Sequence, residues 1–342
     1  MILPNTSLVR QDSTKRSNQS RQCCCPQRQN EPVFDQILEK GSASIPSFDI
    51  ADMSLVPGGS FRMGSNIEGG SEDGEGPIRI VHTDSFMMDA KVVSNIEFSR
   101  FVKETKYKTD AERMGWSYVF AAQLHPASES FVVNRSVAEA PWWLTVNNAN
   151  WRAPDGPGSS IIDKAEHPVV HVSWNDASAF AQWIGKRLPT ECEWEKAARG
   201  GFEGLLYPWG NELLVNGKHR TNIWQGDFPE VNTGEDGYFG TAPVDSFEPN
   251  GFGLFNMSGN IWEWCSDWWS SSWHKKDVKT TRINPSGPDS GINKVIRGGS
   301  FLCHASYCER YRVSARTQTS PNISTSHIGF RCALDTQTDI IK

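Results

Sequence analysis

No apolar run in this 342-residue chain approaches the length of a membrane-spanning helix. Neither sign of charge is in large excess: 34 basic against 40 acidic residues leave a net charge of -6 and a pI near 5.8. Wholesale binding to nucleic acid or to an anionic membrane is therefore not expected. Eight cysteines are too few for a disulfide-dense scaffold. No exact internal repeat is visible. The segment Met1 to Thr6 lacks a charged stretch followed by an apolar one, so no secretory signal is expected from it.

Tryptophan, glycine and proline are plentiful by contrast, at 14, 29 and 19 residues. Many indoles among many turn formers predict an irregular fold held by aromatic packing rather than by long periodic elements. The length allows a sizeable core. Residues 1–50 are polar, include the consecutive Cys23, Cys24 and Cys25, and are expected to form a flexible extension. The folded domain is expected over 51–335, with a tail at 336–342. Two short strands flank Pro57-Gly58-Gly59, Gly69 to Pro77 reads as an acidic glycine-rich loop, and Ile78 to Met88 as one further strand.

Three capping boxes predict helices: Ser94 with Glu97, Ser173 with Asp176, and Thr190 with Glu193. The first helix presents Ile96, Phe98, Phe101 and Val102 as its apolar face. The second turns Ala177, Phe180, Ala181 and Ile184 inward. The third carries Trp194, Ala197 and Ala198 and stops at Gly200-Gly201. Beyond residue 205 only short Trp/Gly/Asn/Pro segments follow, so the chain reads as an α+β domain of small sheets and structured loops. Sequons at Asn5, Asn18, Asn134, Asn256 and Asn322 matter only in a secreted chain.

The stretch with most chemistry is Ile296 to Arg312. Cys303 and Cys308 lie between Gly298-Gly299, where the backbone can bend sharply, and the basic, aromatic run Arg310-Tyr311-Arg312. Such a pair either closes a disulfide or, as thiolates, holds a soft metal such as Cu(I) or Zn(II). A staple needs no basic, aromatic surround, whereas a peptide-binding redox site does.

Longer segments add a resemblance. They are Pro57-Gly58-Gly59-Ser60-Phe61, Ala140-Pro141-Trp142-Trp143-Leu144, His167-Pro168-Val169-Val170-His171-Val172-Ser173-Trp174, Gly185-Lys186-Arg187-Leu188-Pro189-Thr190-Glu191 and Ile328-Gly329-Phe330-Arg331-Cys332. On them, Met53 to Ala333 resembles the formylglycine-generating enzyme family, the sulfatase-modifying factors. The cysteine cluster before Pro26-Gln27-Arg28 is similar to one in animal members. The resemblance implies a modified C-type-lectin-like fold with little regular secondary structure. It implies oxidation of the cysteine in a Cys-x-Pro-x-Arg segment of a newly made, unfolded sulfatase to Cα-formylglycine. Oxygen is then the oxidant, Cu(I) the cofactor and an external thiol the second reductant. The implied compartment is the endoplasmic reticulum lumen, with a retention partner bound through Cys23 to Cys25.

Carried over residue by residue, the resemblance makes Cys303 and Cys308 the catalytic, copper-holding pair, with a lateral position for the substrate thiolate. Ser300 and Tyr307 match polar residues beside that pair, and Trp262 and Arg316 match a wall and a peptide anchor of the same pocket. His327 stands where the family has Asn; an imidazole replaces one amide hydrogen bond, not both. Two structural Ca(II) ions are implied. One falls to Asn222, the Ile223 carbonyl, Asp236 and the Tyr238 carbonyl. The other falls to Asn256, the carbonyls of Gly259 and Ile261, and Glu263. Both are the all-oxygen sets a hard ion requires. Two family disulfides are lost, because Ala181 stands opposite Cys332 and Ala198 opposite Val313. Cys332 then pairs with Cys192 or stays reduced, and Cys265 is a buried small hydrophobe.

Two other functions compete. A non-catalytic sulfatase-binding module lacks the cysteine pair that is present here. An iron-dependent sulfoxide synthase needs an extra helical domain with histidine ligands, and the eight histidines here are scattered without an H-x3-H-x-E-like cluster.

Overall fold

The computed structural model describes Pro26 and residues 52–67, 72–135 and 140–336. The Cys23 to Cys25 cluster, the sequons at Asn5 and Asn18, and the part of the acidic loop before residue 72 lie outside the described residues.

The first two strands, β1 (Met53–Val56) and β2 (Gly59–Met63), flank the Pro-Gly turn as expected but join different sheets. Strand β2 pairs with β3 (Arg79–Thr83). Strand β1 pairs with β4 (Phe86–Asp89), whose other edge takes β14 (Ala333–Asp335). The single strand expected over 78–88 is thus broken at Asp84-Ser85, because its two halves pair with different neighbours. Gly58 sits at this crossing, where a Cβ would stand 2.9 Å from the Ser85 nitrogen.

All three predicted capping boxes are present, opening α1 (Asn95–Thr105), α3 (Trp174–Trp183) and α4 (Glu191–Ala198). A further box, Thr109 with Glu112, opens the five-residue α2 (Asp110–Met114), too short to show an apolar period. Ile96 is 54 % exposed, which corrects its place on the apolar face of α1. It precedes Phe98 by two residues, about 200° around the helix, so the face set by Phe98, Phe101 and Val102 turns it outward. Helices α1 and α3 meet through Phe98, Phe101 and Phe180, with ring centroids 5.5 to 5.9 Å apart across the pair.

A three-stranded sheet orders β5 (Trp116–Phe120), β7 (Trp143–Asn147) and β6 (Val132–Asn134), and β8 (Leu214–Val215) forms a ribbon with β9 (Lys218–His219). The central sheet runs β12 (Arg316–Thr319), β11 (Lys294–Arg297), β10 (Trp262–Trp268), β13 (Ile328–Gly329), with only the β10–β13 pair parallel. Beyond residue 205 the described chain forms no α-helix, as the sequence predicts. Trp143, Trp194, Trp262 and Trp264 are fully buried, so indoles fill space that long helices fill elsewhere.

Candidate active site

Strands β11 and β12 are antiparallel neighbours with Arg297 opposite Arg316, and their connection, residues 298–315, carries both cysteines. It leaves β11 through Gly298 and Gly299, at φ 94° and 74°. A Cβ on Gly299 would lie 2.9 Å from the Tyr311 backbone, so the loop can close on itself only with glycine there. Two local turns then aim the thiols. The Cys303 N–H donates to the Ser300 carbonyl at 2.9 Å, and the Cys308 N–H to the His304 carbonyl at 2.8 Å. The two Sγ atoms stand 3.3 Å apart, in contact but unbridged, since a disulfide bond measures about 2.05 Å. Both residues are buried.

Ser300 and His327 are brought to this pair. The Ser300 N–H donates to the Cys303 sulfur at 3.4 Å, and its hydroxyl shares a 3.3 Å hydrogen bond with His327 Nδ1. The His327 ring lies edge-on to Trp143, and its carbonyl accepts the Trp262 backbone N–H at 2.9 Å. Tyr307 donates its hydroxyl to the Leu302 carbonyl at 3.0 Å and stacks on Phe228 at 4.3 Å, with Trp142 against its edge. Trp224 donates its backbone N–H to the Cys303 carbonyl at 3.1 Å. The indole N–H groups of Trp142, Trp224 and Trp262 are buried without a hydrogen-bond partner. A buried unpaired donor costs about 1–3 kcal/mol, so these indoles are donors in want of a ligand or water.

Sequence reasoning missed Asp73, Trp142, Trp224, Phe228 and Arg310 as site residues. Arg310 Nη1 lies 3.9 Å from the Cys308 sulfur, and its fork is held by Asp73 Oδ2 at 2.6 and 2.9 Å. Burial pushes the Asp73 carboxyl above its usual range, against the opposing pull of Arg310. Arg310 was visible only as part of a basic run, and Asp73 lies 237 residues away.

Arg316 departs from expectation. Its guanidinium forms a two-pronged pair with Glu191 at 2.7 and 2.6 Å and donates to the carbonyls of Asp73 and Ser270. It is a buried brace on Glu191, lining a separate cavity with Arg79 and Asp267, not an open anchor beside the thiols.

Of the first oxygen set, the Asp236 carboxylate and the Ile223 carbonyl are neighbours, linked by the Gln225 amide, while Asn222 points its amide elsewhere. The Asp236 carboxylate accepts N–H groups from Ile223 at 3.0 Å, Tyr238 at 2.9 Å and the Gln225 side chain at 2.7 Å, and burial raises its pKa. The Gln225 amide also donates to the Ile223 carbonyl. The Asn222 amide donates to the Gly240 carbonyl and to Asn260. In the second set Glu263 is already balanced: its carboxylate takes Arg331 at 2.7 and 2.8 Å and the Trp194 indole at 2.8 Å. The Asn256 amide donates to the carbonyls of Pro243 and Val244. Among the described residues no three His, Cys, Asp or Glu side chains converge on a metal position, so both sets depend on amide and carbonyl oxygens. The segment also supports the thiols, because the Asn260 carbonyl accepts the Phe301 N–H at 2.9 Å. Cys192, Cys265 and Cys332 are buried and unbridged.

A lectin-like assembly of small sheets, with a buried thiol pair on a hairpin loop and an aromatic wall around it, defines the class. The sulfatase-modifying factor enzyme 1-like domain family matches residues 41–336. Over 305 residues the chain is 59 % identical to the formylglycine-generating enzyme of Thermomonospora curvata, covering 89 % of this chain and 99 % of that protein. Over 283 residues it is 54 % identical to the formylglycine-generating enzyme of Bos taurus, covering 83 % and 74 %. Among solved structures, PvdO from Pseudomonas aeruginosa shares the fold, with a TM-score of 0.58 at 24 % identity over 83 % of this chain and 94 % of that one. The chain belongs to the formylglycine-generating enzyme (sulfatase-modifying factor) family, and its fold is the modified C-type-lectin-like one.

Proposed function

We propose that this protein oxidises the cysteine of a Cys-x-Pro-x-Arg segment in newly made sulfatases to Cα-formylglycine, using oxygen, copper and an external thiol. The substrate Cβ–S unit gives up two electrons on becoming a thioaldehyde, which water converts to the aldehyde with release of hydrogen sulfide. Two external thiols give up two more on coupling to a disulfide, and these four electrons reduce dioxygen to two waters, one of which that hydrolysis consumes. The observation carrying this reading is the unbridged, buried sulfur pair 3.3 Å apart, set beside aromatic surface with unpaired N–H donors.

Two adjacent thiolates suit a soft monovalent ion, so Cys303 and Cys308 are the residues that hold it. Copper bound there supplies the electron-transfer chemistry through which oxygen reacts. The rest falls to the chain. The Ser300 N–H steadies the Cys303 sulfur. Trp142, Phe228 and Tyr307 shield the substrate thiol from water. The indoles of Trp224 and Trp262 offer donors to substrate carbonyls or to negative charge developing on oxygen. His327, through Ser300, orients that serine. Two structural Ca(II) ions belong to the same proposal; the first rests on Asn222, Ile223, Asp236 and Tyr238. Because Arg331 balances Glu263, the second rests chiefly on Asn256 and the carbonyls of Gly259 and Ile261. The endoplasmic reticulum lumen, where eukaryotic sulfatases mature, is the proposed compartment, with the Cys23 to Cys25 cluster binding a retention partner.

The test is the mass of a Cys-x-Pro-x-Arg peptide after incubation with copper-loaded protein, oxygen and thiol. Conversion to the aldehyde is expected, with loss of conversion in Cys303→Ser and in Cys308→Ser. An unchanged peptide mass with the wild-type protein overturns the enzymatic reading.

A further inference from the structure

A highly charged interior surrounds α4, away from the thiols. Glu195 pairs with Arg199 at 2.6 Å and with Arg297 at 2.7 Å; Glu191 pairs with Arg297 at 3.0 Å and Arg316 at 2.6 Å. Into this group β3 inserts Arg79, a fourth guanidinium with no carboxylate of its own. Its Nη2 meets the Met63 sulfur at 3.2 Å, and its Nε and Nη1 are buried without a partner. Arg79 is only 9 % exposed. Four cations (Arg79, Arg199, Arg297, Arg316) thus face Glu191, Glu195 and Asp267, an excess of two positive charges when Asp267 is protonated and of one when it is ionised.

The unpaired guanidinium lines a cavity together with Met63, Glu191, Cys192, Asp267, His274 and Arg316. The centre of a water-sized sphere can move there over about 20 Å³, the room for an ordered water or one ion of similar size. Water would satisfy the N–H groups but leave the charge uncompensated, and a buried uncompensated charge is costly.

We propose that this cavity binds one small monovalent inorganic anion, of halide size, against the Arg79 guanidinium. The wall opposite suits this. His274 is neutral near pH 7, pushed down to about 4 by burial, with its Nε2 on the Gly76 carbonyl. Cys192 is a buried thiol, held protonated by burial. Asp267 is the one wall group that titrates near neutrality, pushed up to about 7 by burial and by the adjacent Glu191. An ionised Asp267 repels an anion and a protonated one does not, so the anion binds more tightly as pH falls through 7 and takes up a proton as it binds. The charged or titratable groups facing the cavity are Arg79 on β3, Glu191 and Cys192 on α4, Asp267 on β10, His274, and Arg316 on β12. Arg316 also holds the Asp73 carbonyl, and Asp73 holds Arg310 beside Cys308, so the ion braces the contacts behind the thiol loop.

The experiment is thermal unfolding of the full chain in chloride or bromide against gluconate, at constant ionic strength, with a bromide-soaked crystal measured at the bromine absorption edge. The expected result is a midpoint that rises by a few degrees with halide, saturates, and rises more at pH 6 than at pH 8. Arg79→Met should abolish the rise, and Asp267→Asn should keep it while removing its pH dependence. An anomalous peak beside Arg79 is expected in the soaked crystal and decides the matter if Arg79→Met fails to fold. A halide effect absent from the wild type, or equal in a folded Arg79→Met, overturns the proposal, as does a soaked crystal with only water at Arg79. None of these readouts depends on peptide oxidation, so the anion site stands or falls separately from the proposed activity.

Discussion

Arg310 reaches the Cys308 sulfur because Asp73 fixes its fork, and that pairing sets the first prediction. Asp73→Asn removes the charge that orients the guanidinium while keeping the side chain's shape. Peptide conversion is expected to fall about tenfold, equivalent to about 1.4 kcal/mol of barrier, with little change in unfolding midpoint. Rate and midpoint measured on the same preparation check this, and an unchanged rate removes Asp73 from the site. Glu263 and Arg331 form a fully buried pair, at 2.7 Å between Nε and Oε2. Arg331→Met strands the Glu263 carboxylate in the core and is expected to cost about 3–5 kcal/mol in urea unfolding. At this scale the sequence was legible where partners are local: Ser300, Cys303, Tyr307 and Cys308 lie in one loop. It was not legible for Arg316, whose Glu191 partner lies 125 residues back, because a guanidinium's role depends on which carboxylate reaches it first.

Elements whose start is written in a capping box were readable, and those ended by tertiary pairing were not. Thr109 and Ser173 show the difference, because each caps a helix while Asp110 and Asp176, beside them, join the two caps. Asp176 accepts the Asp110 and Ser173 backbone N–H groups and the Tyr107 hydroxyl; Asp110 accepts the Ser173 hydroxyl and Asn175. Among the described residues neither carboxylate forms an ion pair, and one Asp110 oxygen is buried without a partner. Burial, followed by the Asp110 charge, pushes Asp176 from 3.8 up to about 8. The folded state therefore holds this proton more tightly than the unfolded chain. Its contribution to stability is complete below pH 3.8, declines as pH rises, and is gone above about 8. Asp110→Asn removes the repelling charge and lets an amide N–H take the unpaired position. Urea midpoints measured from pH 4 to 9 are expected to fall less steeply in this variant than in the wild type; parallel curves would show that the two carboxyls do not interact.

For the molecule as a whole, composition foretold an irregular, aromatic-rich α+β domain, and length foretold a large core, but neither could say what replaces the family's disulfides. The described cysteines are unbridged, so the stabilising load falls on buried indoles, on arginine–carboxylate pairs and on whatever joins the loops between residues 222 and 263. Asp236 is the key to that last region. Its carboxylate gathers the Ile223 and Tyr238 backbones, and the Gln225 amide ties it to the Ile223 carbonyl, the oxygen expected to share an ion with it. An ion and the Gln225 amide therefore compete for the same two oxygens. If calcium is the native crosslink, chelation lowers the wild-type midpoint, and Asp236→Ala melts at that lowered temperature whether or not chelator is present. Gln225→Ala should then leave the calcium-loaded midpoint nearly unmoved. If the amide is the native crosslink, chelation does nothing and Gln225→Ala lowers the midpoint by itself. The same loops carry Asn260, whose carbonyl holds Phe301 two residues before Cys303. Under the calcium reading, chelation must also slow peptide conversion below the melting range, since the floor of the thiol loop loosens before the domain unfolds.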